Sequence, residues 1–205
     1  MPRILTLDAA LATCSAGMVS DGTVLTERST AADQAASLPA LVTDLLIASP
    51  GFDLVAVIVG PGSFTGLRAA LALAHGLAIA AGVEVVGVTI GAALRHTSPP
   101  GRQLWTAIDS KRGRVFLERD GHVQTFDLSA LPPAGGKVAV AGDLAIPVAA
   151  RLAARNEDVQ LLAARSASPL GIALAAMRGD TRLPQPLYVD PPAAKPGPAG
   201  RPAPL

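Results

Sequence analysis

The chain has 205 residues, of which 50% are hydrophobic, 16% charged and 3% aromatic. This composition excludes an intrinsically disordered protein and predicts a core of aliphatic side chains, in one domain or two small lobes. A formal net charge of +1 excludes the strongly basic surface of a dedicated nucleic-acid binder, and the single cysteine, Cys14, excludes an internal disulfide framework.

The N-terminal segment "MPRILTLDAA" has no apolar stretch long enough for a secretory signal. The longest nearly uncharged segment, "AALALAHGLAIAAGV", contains His75 and is shorter than the ~20 residues that cross a bilayer. We therefore expect a cytoplasmic protein that does not associate with a membrane.

Three strands are predicted at the start of the chain. "RILTLD" and "SAGMVS" are followed by an Asp21-Gly22 turn and the strand "TVLTE". Asp-Gly between two β-runs is the strongest short hairpin signal. A helix at about residues 32–48, the strand "DLVAVIV", a helix at about residues 65–81 and the strand "VEVVGVT" complete this first unit.

The same order of elements returns later in the chain. "QLWTAID", "RVFLER", an Asp120-Gly121 turn and "HVQTFD" repeat the three strands. The strand "KVAVAG", a helix at about residues 145–155, the strand "DVQLLA" and a helix at about residues 169–178 follow. Two units with the same lead-in indicate duplication into two related lobes, the second of which lacks one helix.

Strands that alternate with helices predict crossovers and a partly parallel sheet in each lobe. The pattern therefore predicts an α/β protein with an actin/Hsp70-like (ASKHA, RNase H-like) duplicated fold, an architecture that carries no function by itself. We place the first lobe at residues 1–98, the reduced second lobe at residues 99–189, and a flexible Pro/Ala-rich tail at residues 190–205.

The segment "GPGSFTGLR", Gly60 to Arg68, lies between a predicted strand and a predicted helix. Free backbone N–H groups gather at such a helix start, so Gly62, Ser63 and Thr65 are candidates for binding a nucleotide phosphate or another anion. The spacing is neither that of a P-loop nor that of a dinucleotide-binding turn. The alternative is that the glycines only let two backbones pack closely.

Asp8 and Asp109 end the first strand of each unit, so the duplication would place them across the cleft between the lobes. Two such acids could hold Mg²⁺ and a phosphate. Hydrogen-bonded turn acids are the favoured interpretation. We expect no metal site from histidines, because no two of the three have the short spacing that would place them on one helix face.

The two first-lobe helices are apolar over more of their circumference than one sheet face can cover, which favours a partner interface. The alternative is that this surplus is buried within one monomer. The predicted interface consists of Leu38, Leu41 and Leu45 in the first helix and Leu67, Arg68, Leu71, Ala74, His75 and Ala78 in the second.

"GPGSFTGLR", "ILTLDAALATCSAGMV", "IDSKRGRVF" and "PLYVDPPAAK" together resemble the TsaB family of bacterial tRNA threonylcarbamoyladenosine biosynthesis proteins, also called the YeaZ family. The resemblance runs through about Val189. It implies a non-catalytic subunit that binds and activates the related TsaD subunit, which transfers a threonylcarbamoyl group to N6 of an adenosine in tRNA. A small ATPase, TsaE, joins the complex.

The resemblance also implies that the first-lobe helices contact either TsaD or a second copy of the chain. It implies no catalytic residue here, no tightly bound cofactor and no metal of its own, with ATP or ADP and Mg at the joint interface as an option. The basic cluster of Lys111, Arg112, Arg114 and Arg119 could add phosphate contacts for tRNA bound through the complex, although an ordinary charged edge strand is favoured.

One departure keeps a second function open. In this fold the first-strand acid is usually followed by a Gly-Thr-rich phosphate turn, but here Asp8 is followed by "AALATCSAG". The alternative function is an ATP-binding or ATP-hydrolysing actin-like enzyme that uses the cleft between Asp8 and Asp109.

Overall fold

The computed structural model describes residues 2–31 and 34–189. These residues form two mixed β-sheets of five strands each, together with five α-helices. The predicted tail at residues 190–205 lies outside the described residues.

The first sheet has the strand order β3-β2-β1-β4-β5, in which β1, β2 and β3 are antiparallel and β4 and β5 join β1 in parallel. Asp21 and Gly22 both have positive φ, at 51° and 70°, as the two-residue turn between β2 and β3 requires. The strands are β1 (Ile4–Asp8), β2 (Cys14–Ser20), β3 (Thr23–Thr30), β4 (Leu54–Gly60) and β5 (Glu84–Thr89).

The second sheet repeats this arrangement with the order β10-β9-β6-β7-β8, again three antiparallel strands and two parallel ones. Its hairpin turn also has positive φ at both residues, Asp120 and Gly121. The predicted duplication is therefore confirmed. The strands are β6 (Gln103–Asp109), β7 (Arg114–Arg119), β8 (His122–Asp127), β9 (Val138–Ala141) and β10 (Val159–Leu161).

Five helices cover the sheets: α1 (Gln34–Ala48), α2 (Phe64–Ala81), α3 (Ile90–Leu94), α4 (Ala145–Ala153) and α5 (Pro169–Met177). α1 and α2 lie side by side on one face of the first sheet, where they share a core with Leu5, Leu7 and other inward side chains. α4 packs on the second sheet around the buried Trp105. Every residue of β1 is buried, because helices cover both faces of its sheet.

Helices α3 and α5 contact each other and share one core with residues of both sheets, including Ile58 and Ile108. The sequence pattern assigned α5 to the second unit, but the helix packs against the first sheet. Gly17 in β2 makes this approach possible, since a Cβ there would overlap Pro169 at the start of α5. The short helix α3 was not predicted.

By length and hydropathy alone, α2 would be long and apolar enough to span a membrane. In the fold its inner side packs on β1, β4 and β5, and its outer side carries Arg68 and His75. Ser63 caps its start, and Gly82 ends it in the left-handed conformation. These features describe the surface helix of an α/β layer.

Candidate functional site

The loop from Gly60 to Arg68 packs tightly on the turn that follows β1. A Cβ at Gly62 would overlap the carbonyl of Ala10, and a Cβ at Gly66 would overlap the carbonyl of Ala9. The Ser63 amide donates to Ala10 O at 2.7 Å, and the Gly66 amide donates to Ser63 Oγ at 3.3 Å.

One backbone donor of the predicted anion site, the Ser63 amide, and that of the neighbouring Gly66 are therefore used within the chain. Thr65 is exposed at the start of α2. The contacts favour close backbone packing as the reason for these glycines, and anion binding by Gly62, Ser63 and Thr65 stays a prediction.

Asp8 closes a turn at the end of β1. Its Oδ1 accepts a hydrogen bond from the Ala10 amide at 2.8 Å, and the residue is 2% exposed. Burial raises the pKa of Asp8 to about 6, an effect that the hydrogen bond from Ala10 partly opposes. The carboxylate therefore belongs to a hydrogen-bonded turn, as favoured from the sequence.

Asp109 is held in a corresponding turn of the second sheet. Its Oδ1 accepts from the Lys111 amide at 2.7 Å, and its Oδ2 pairs with Lys111 Nζ at 3.0 Å. Burial raises the pKa of Asp109, but the hydrogen bonds and charge of Lys111 outweigh it and leave the pKa below its usual value. Lys111 has a positive φ of 59° and forms an ion pair with Asp109.

Asp143 joins this group, and the sequence analysis missed it. The Asp109 amide donates to Asp143 Oδ1 at 2.9 Å, and burial raises the pKa of Asp143 despite that hydrogen bond. Asp143 follows β9, the parallel neighbour of β6, and this position could have predicted that it lies near Asp109. Within residues 2–31 and 34–189, no cluster of three or more His, Cys, Asp or Glu side chains could hold a metal ion.

Six of the nine residues of the predicted partner interface face the chain's own core, so a partner contact through them stays a prediction. Leu41 is half-buried against the same core, while Arg68 and His75 are exposed. The regular Leu and Ala spacing marks the side of each helix that the sheet covers, because that side buries the most apolar area. The buried residues are Leu38, Leu45, Leu67, Leu71, Ala74 and Ala78.

The opposite sides of the two helices carry the exposed surface. Ile47 on α1 is 77% exposed and Ile79 on α2 is 82% exposed. Small exposed side chains occur on the same two helices, so another helix could approach closely. We call this surface the outer helical face; its residues are Ala40, Ile47, Arg68, Ala72, His75, Gly76, Ile79 and Ala80.

A segment near the end of the described chain, the C-terminal strap (residues 182–188), runs beside the outer helical face. The backbone of Arg182 exchanges two hydrogen bonds with Gly87 on β5, and the Leu187 amide donates to Val59 O at 2.8 Å. His75 Nε2 lies 3.0 Å from Pro184 O. The strap thus fastens the open edge of the first sheet and the middle of α2.

An aromatic cluster ends the strap. Arg68 Nε donates to Tyr188 Oη at 3.1 Å, and the Arg68 guanidinium lies 3.9 Å from the centre of the Phe64 ring. The Phe64 and Tyr188 rings are 5.9 Å apart, and both residues are more than half exposed. Aromatic and arginine side chains of this kind are enriched where protein interfaces carry most of their binding energy.

Glu118 on β7 joins the two sheets and was also missed. Its Oε1 accepts from Thr89 Oγ1 at 2.5 Å, and its Oε2 accepts from the Gly91 amide at 2.9 Å. Burial raises the pKa of Glu118, while these hydrogen bonds and the charges of Arg182 and Arg95 partly oppose the effect. The sequence "RVFLER" alone does not predict that its glutamate is buried, because the partners Thr89 and Gly91 are far away in the chain.

Residues 31–179 match the family model described as TsaD: tRNA N6-adenosine threonylcarbamoyltransferase. The chain is 32% identical over 127 residues to the Escherichia coli (strain K12) protein named tRNA threonylcarbamoyladenosine biosynthesis protein TsaB. That match covers 56% of this chain and 53% of the relative, so the chain spans about half the length of this curated relative.

Two solved structures share the fold. YeaZ from Pseudomonas aeruginosa is 24% identical with a TM-score of 0.69, and the match covers 90% of this chain and all of that one. A protein described as uncharacterized, with similarity to peptidase YEAZ from Pseudomonas aeruginosa, is 24% identical with a TM-score of 0.73, over 93% of this chain and all of that one. These matches confirm the predicted resemblance and the predicted ASKHA-type duplicated fold.

Proposed function

Because the chain belongs to the family that its matching model describes as TsaD, tRNA N6-adenosine threonylcarbamoyltransferase, we propose that it takes part in tRNA threonylcarbamoyladenosine biosynthesis as a TsaB-type subunit. In this proposal it is a non-catalytic subunit in the cytoplasm. It binds and activates a TsaD-type catalytic subunit, a TsaE-type ATPase joins the complex, and tRNA is bound through the complex.

The outer helical face is the observation that carries this proposal. The neighbouring helices α1 and α2 present Ile47 and Ile79 to solvent, together with exposed alanines and a glycine. An exposed apolar surface of this kind on a compact domain marks a contact with another protein. The occupant that we propose is the corresponding helical face of the TsaD-type subunit, with a second copy of this chain as the alternative occupant.

The arrangement of the acids supports an accessory role over catalysis by this chain. Asp8 and Asp109 each accept a hydrogen bond from a backbone amide two residues further on, and Asp109 is also paired with Lys111. A nucleotide with Mg²⁺ would therefore bind at the joint boundary with the partner, where further ligands are supplied, and not tightly to this chain alone.

Co-purification with the TsaD-type subunit tests the proposed interface. We expect Ala72→Arg to abolish the complex, since a long cation replaces a small side chain in the middle of the outer helical face. Ala150→Arg, at an exposed alanine of α4, is the matched control and should bind like the unmodified chain. Equal recovery of the partner with both variants would contradict the interface.

An activity assay separates this proposal from the ATP-hydrolysing alternative. The purified chain alone should show no ATP turnover, and tRNA modification by the TsaD-type subunit should depend on adding the chain. Ala72→Arg should remove that stimulation, whereas Ala150→Arg should keep it. Robust ATP hydrolysis by the isolated chain, lost on Asp8→Asn, would instead establish the enzymatic alternative.

A further inference from the structure

A cavity lies at the junction of the two sheets, away from the outer helical face and from Asp8 and Asp109. Its volume is about 490 Å³, within the range of small-molecule pockets. Strands β6 and β7 form its floor, the start of α3 forms one wall, and the connection at residues 98–103 forms another. None of the features that support the proposed function involves this cavity.

The floor has hydrogen-bonding capacity that the chain does not use. Thr106 and Glu118 are directly paired across β6 and β7, so both side chains project from the same face of the sheet. Thr106 is 1% exposed, and its hydroxyl has no hydrogen-bond partner. A buried hydroxyl without a partner costs free energy unless a bound molecule satisfies it.

Glu118 adds acceptor capacity beside Thr106. A carboxylate offers about four lone-pair positions, and Glu118 uses two of them, for Thr89 and for Gly91. Asp120 follows at the rim, where its Oδ2 accepts from Gln103 Nε2. The acidic side of the cavity is therefore suited to a group with several N–H donors.

The remaining walls carry a cation and apolar side chains. Arg95 lines the cavity with its side chain half exposed, and its Nε lies 3.7 Å from Asp180 Oδ2, a loose ion pair. Arg102 also lines the cavity but is committed to Asp158 at 2.7 Å. Pro99, Pro100 and Leu104 supply the apolar lining.

We propose that this cavity binds a small zwitterion with an apolar body, that is, a free α-amino acid or a short peptide. The ammonium group would donate to Glu118 and to Thr106 Oγ1. The carboxylate would meet the Arg95 guanidinium at the rim, and the side chain would pack on Pro99, Pro100 and Leu104. Opposite charges in the lining of the cavity select a molecule that carries both.

Calorimetric titration of the full-length chain tests this proposal with two probes. L-phenylalanine represents a free amino acid, and glycyl-L-phenylalanine represents a short peptide. Saturable binding of either probe is expected, and the tighter probe identifies the source. N-acetyl-L-phenylalanine amide, which lacks both charges, should bind at least about tenfold more weakly.

Variants locate the binding. Thr106→Val keeps the side-chain shape and should weaken binding by about tenfold, because it removes the unpartnered hydroxyl that would accept from the ammonium. Arg95→Ala should weaken binding of the zwitterions but not of the uncharged analogue. Thr23→Val and Arg28→Ala, both at exposed positions of β3, are the matched controls and should bind normally.

Two outcomes would overturn the proposal. One is no saturable binding of either zwitterion to the unmodified chain. The other is binding that Arg95→Ala and Thr106→Val both leave unchanged while their circular dichroism shows a native fold. If Thr106→Val does not fold, Arg95→Ala with the charged and uncharged probes decides the question alone.

Discussion

At the scale of single residues, the structure assigns the acids of the chain to different tasks. Asp8 ends a buried strand and holds the next turn, Asp109 is neutralised by Lys111, and Glu118 ties β7 to the start of α3. The three differ in their surroundings and not in their chemistry. Burial raises the pKa of all three carboxyl groups, and only at Asp109 do the hydrogen bonds and charge of Lys111 together outweigh it.

The buried Asp8 should make stability depend on pH. Because its folded pKa is about 6, above the ordinary 3.8, the folded state favours the protonated form. The contribution of protonated Asp8 to the free energy of unfolding is fully present below about pH 4. It is lost as the pH rises through 6, which lowers the free energy of unfolding by about 3 kcal/mol. About 2 kcal/mol of this loss falls between pH 4.5 and pH 7.5, and Asp8→Asn should remove that part.

Urea unfolding at the two pH values measures this effect. Asp44→Asn, at an exposed position of α1, is the control and should follow the unmodified chain. If Asp8→Asn and the unmodified chain change stability equally between pH 4.5 and pH 7.5, the carboxylate is not destabilised by its burial.

At the scale of elements, α2 has two sides with opposite roles. Ala74 faces the sheet with no exposed surface, and Ala72, two residues earlier, is exposed. From the sequence, Ala74 is predicted to lie in the partner interface, so a bulky charged residue there should abolish the complex and leave the chain folded. The structure predicts a different result for each alanine.

Ala74→Arg should destabilise the chain itself, by about 3 kcal/mol or more, because a long charged side chain cannot fit between α2 and the sheet. Ala72→Arg should change the free energy of unfolding by less than about 0.5 kcal/mol, as a surface substitution in a helix. Thermal or urea unfolding of both variants distinguishes them. Equal stability of the two would mean that α2 is turned differently about its axis.

At the scale of the whole molecule, two duplicated sheets share one core and are fastened by α5 and the C-terminal strap. Arg182 contributes to both sheets, since its backbone pairs with Gly87 and its guanidinium donates to the carbonyl of Gly121 in the second hairpin turn. Its charge also offsets that of the buried Glu118.

Arg182→Ala should lower the free energy of unfolding by about 1 kcal/mol, because it removes this hydrogen bond between the sheets and leaves Glu118 with less compensating charge. Hydrogen exchange at the Gly121 turn and at β7 should quicken in the same variant. Arg28→Ala, whose contacts are local to β3, provides the comparison. An Arg182→Ala chain as stable and as well protected as the Arg28→Ala chain would show that the Arg182 side chain does not connect the sheets.

The sequence by itself determined the order of the strands along the chain, both hairpin turns and the repeat of this order. Each of these depends on residues that are close together in the chain. Alternating apolar residues and Asp-Gly pairs act over a few residues, and both Asp-Gly turns adopt the positive φ values that they predict. The turn role of Asp8 was likewise readable, since its bond to Ala10 spans two residues.

Only the tertiary structure decided which side of α2 is free, where α5 packs, and that Glu118, Thr106 and Arg95 line one cavity. These features depend on which sheet face covers a helix and on contacts between residues far apart in the chain. Apolar spacing gives the direction of a helix's hydrophobic side but not the amount of surface that its neighbours cover. That covered area is fixed only when both sheets and the strap are in place.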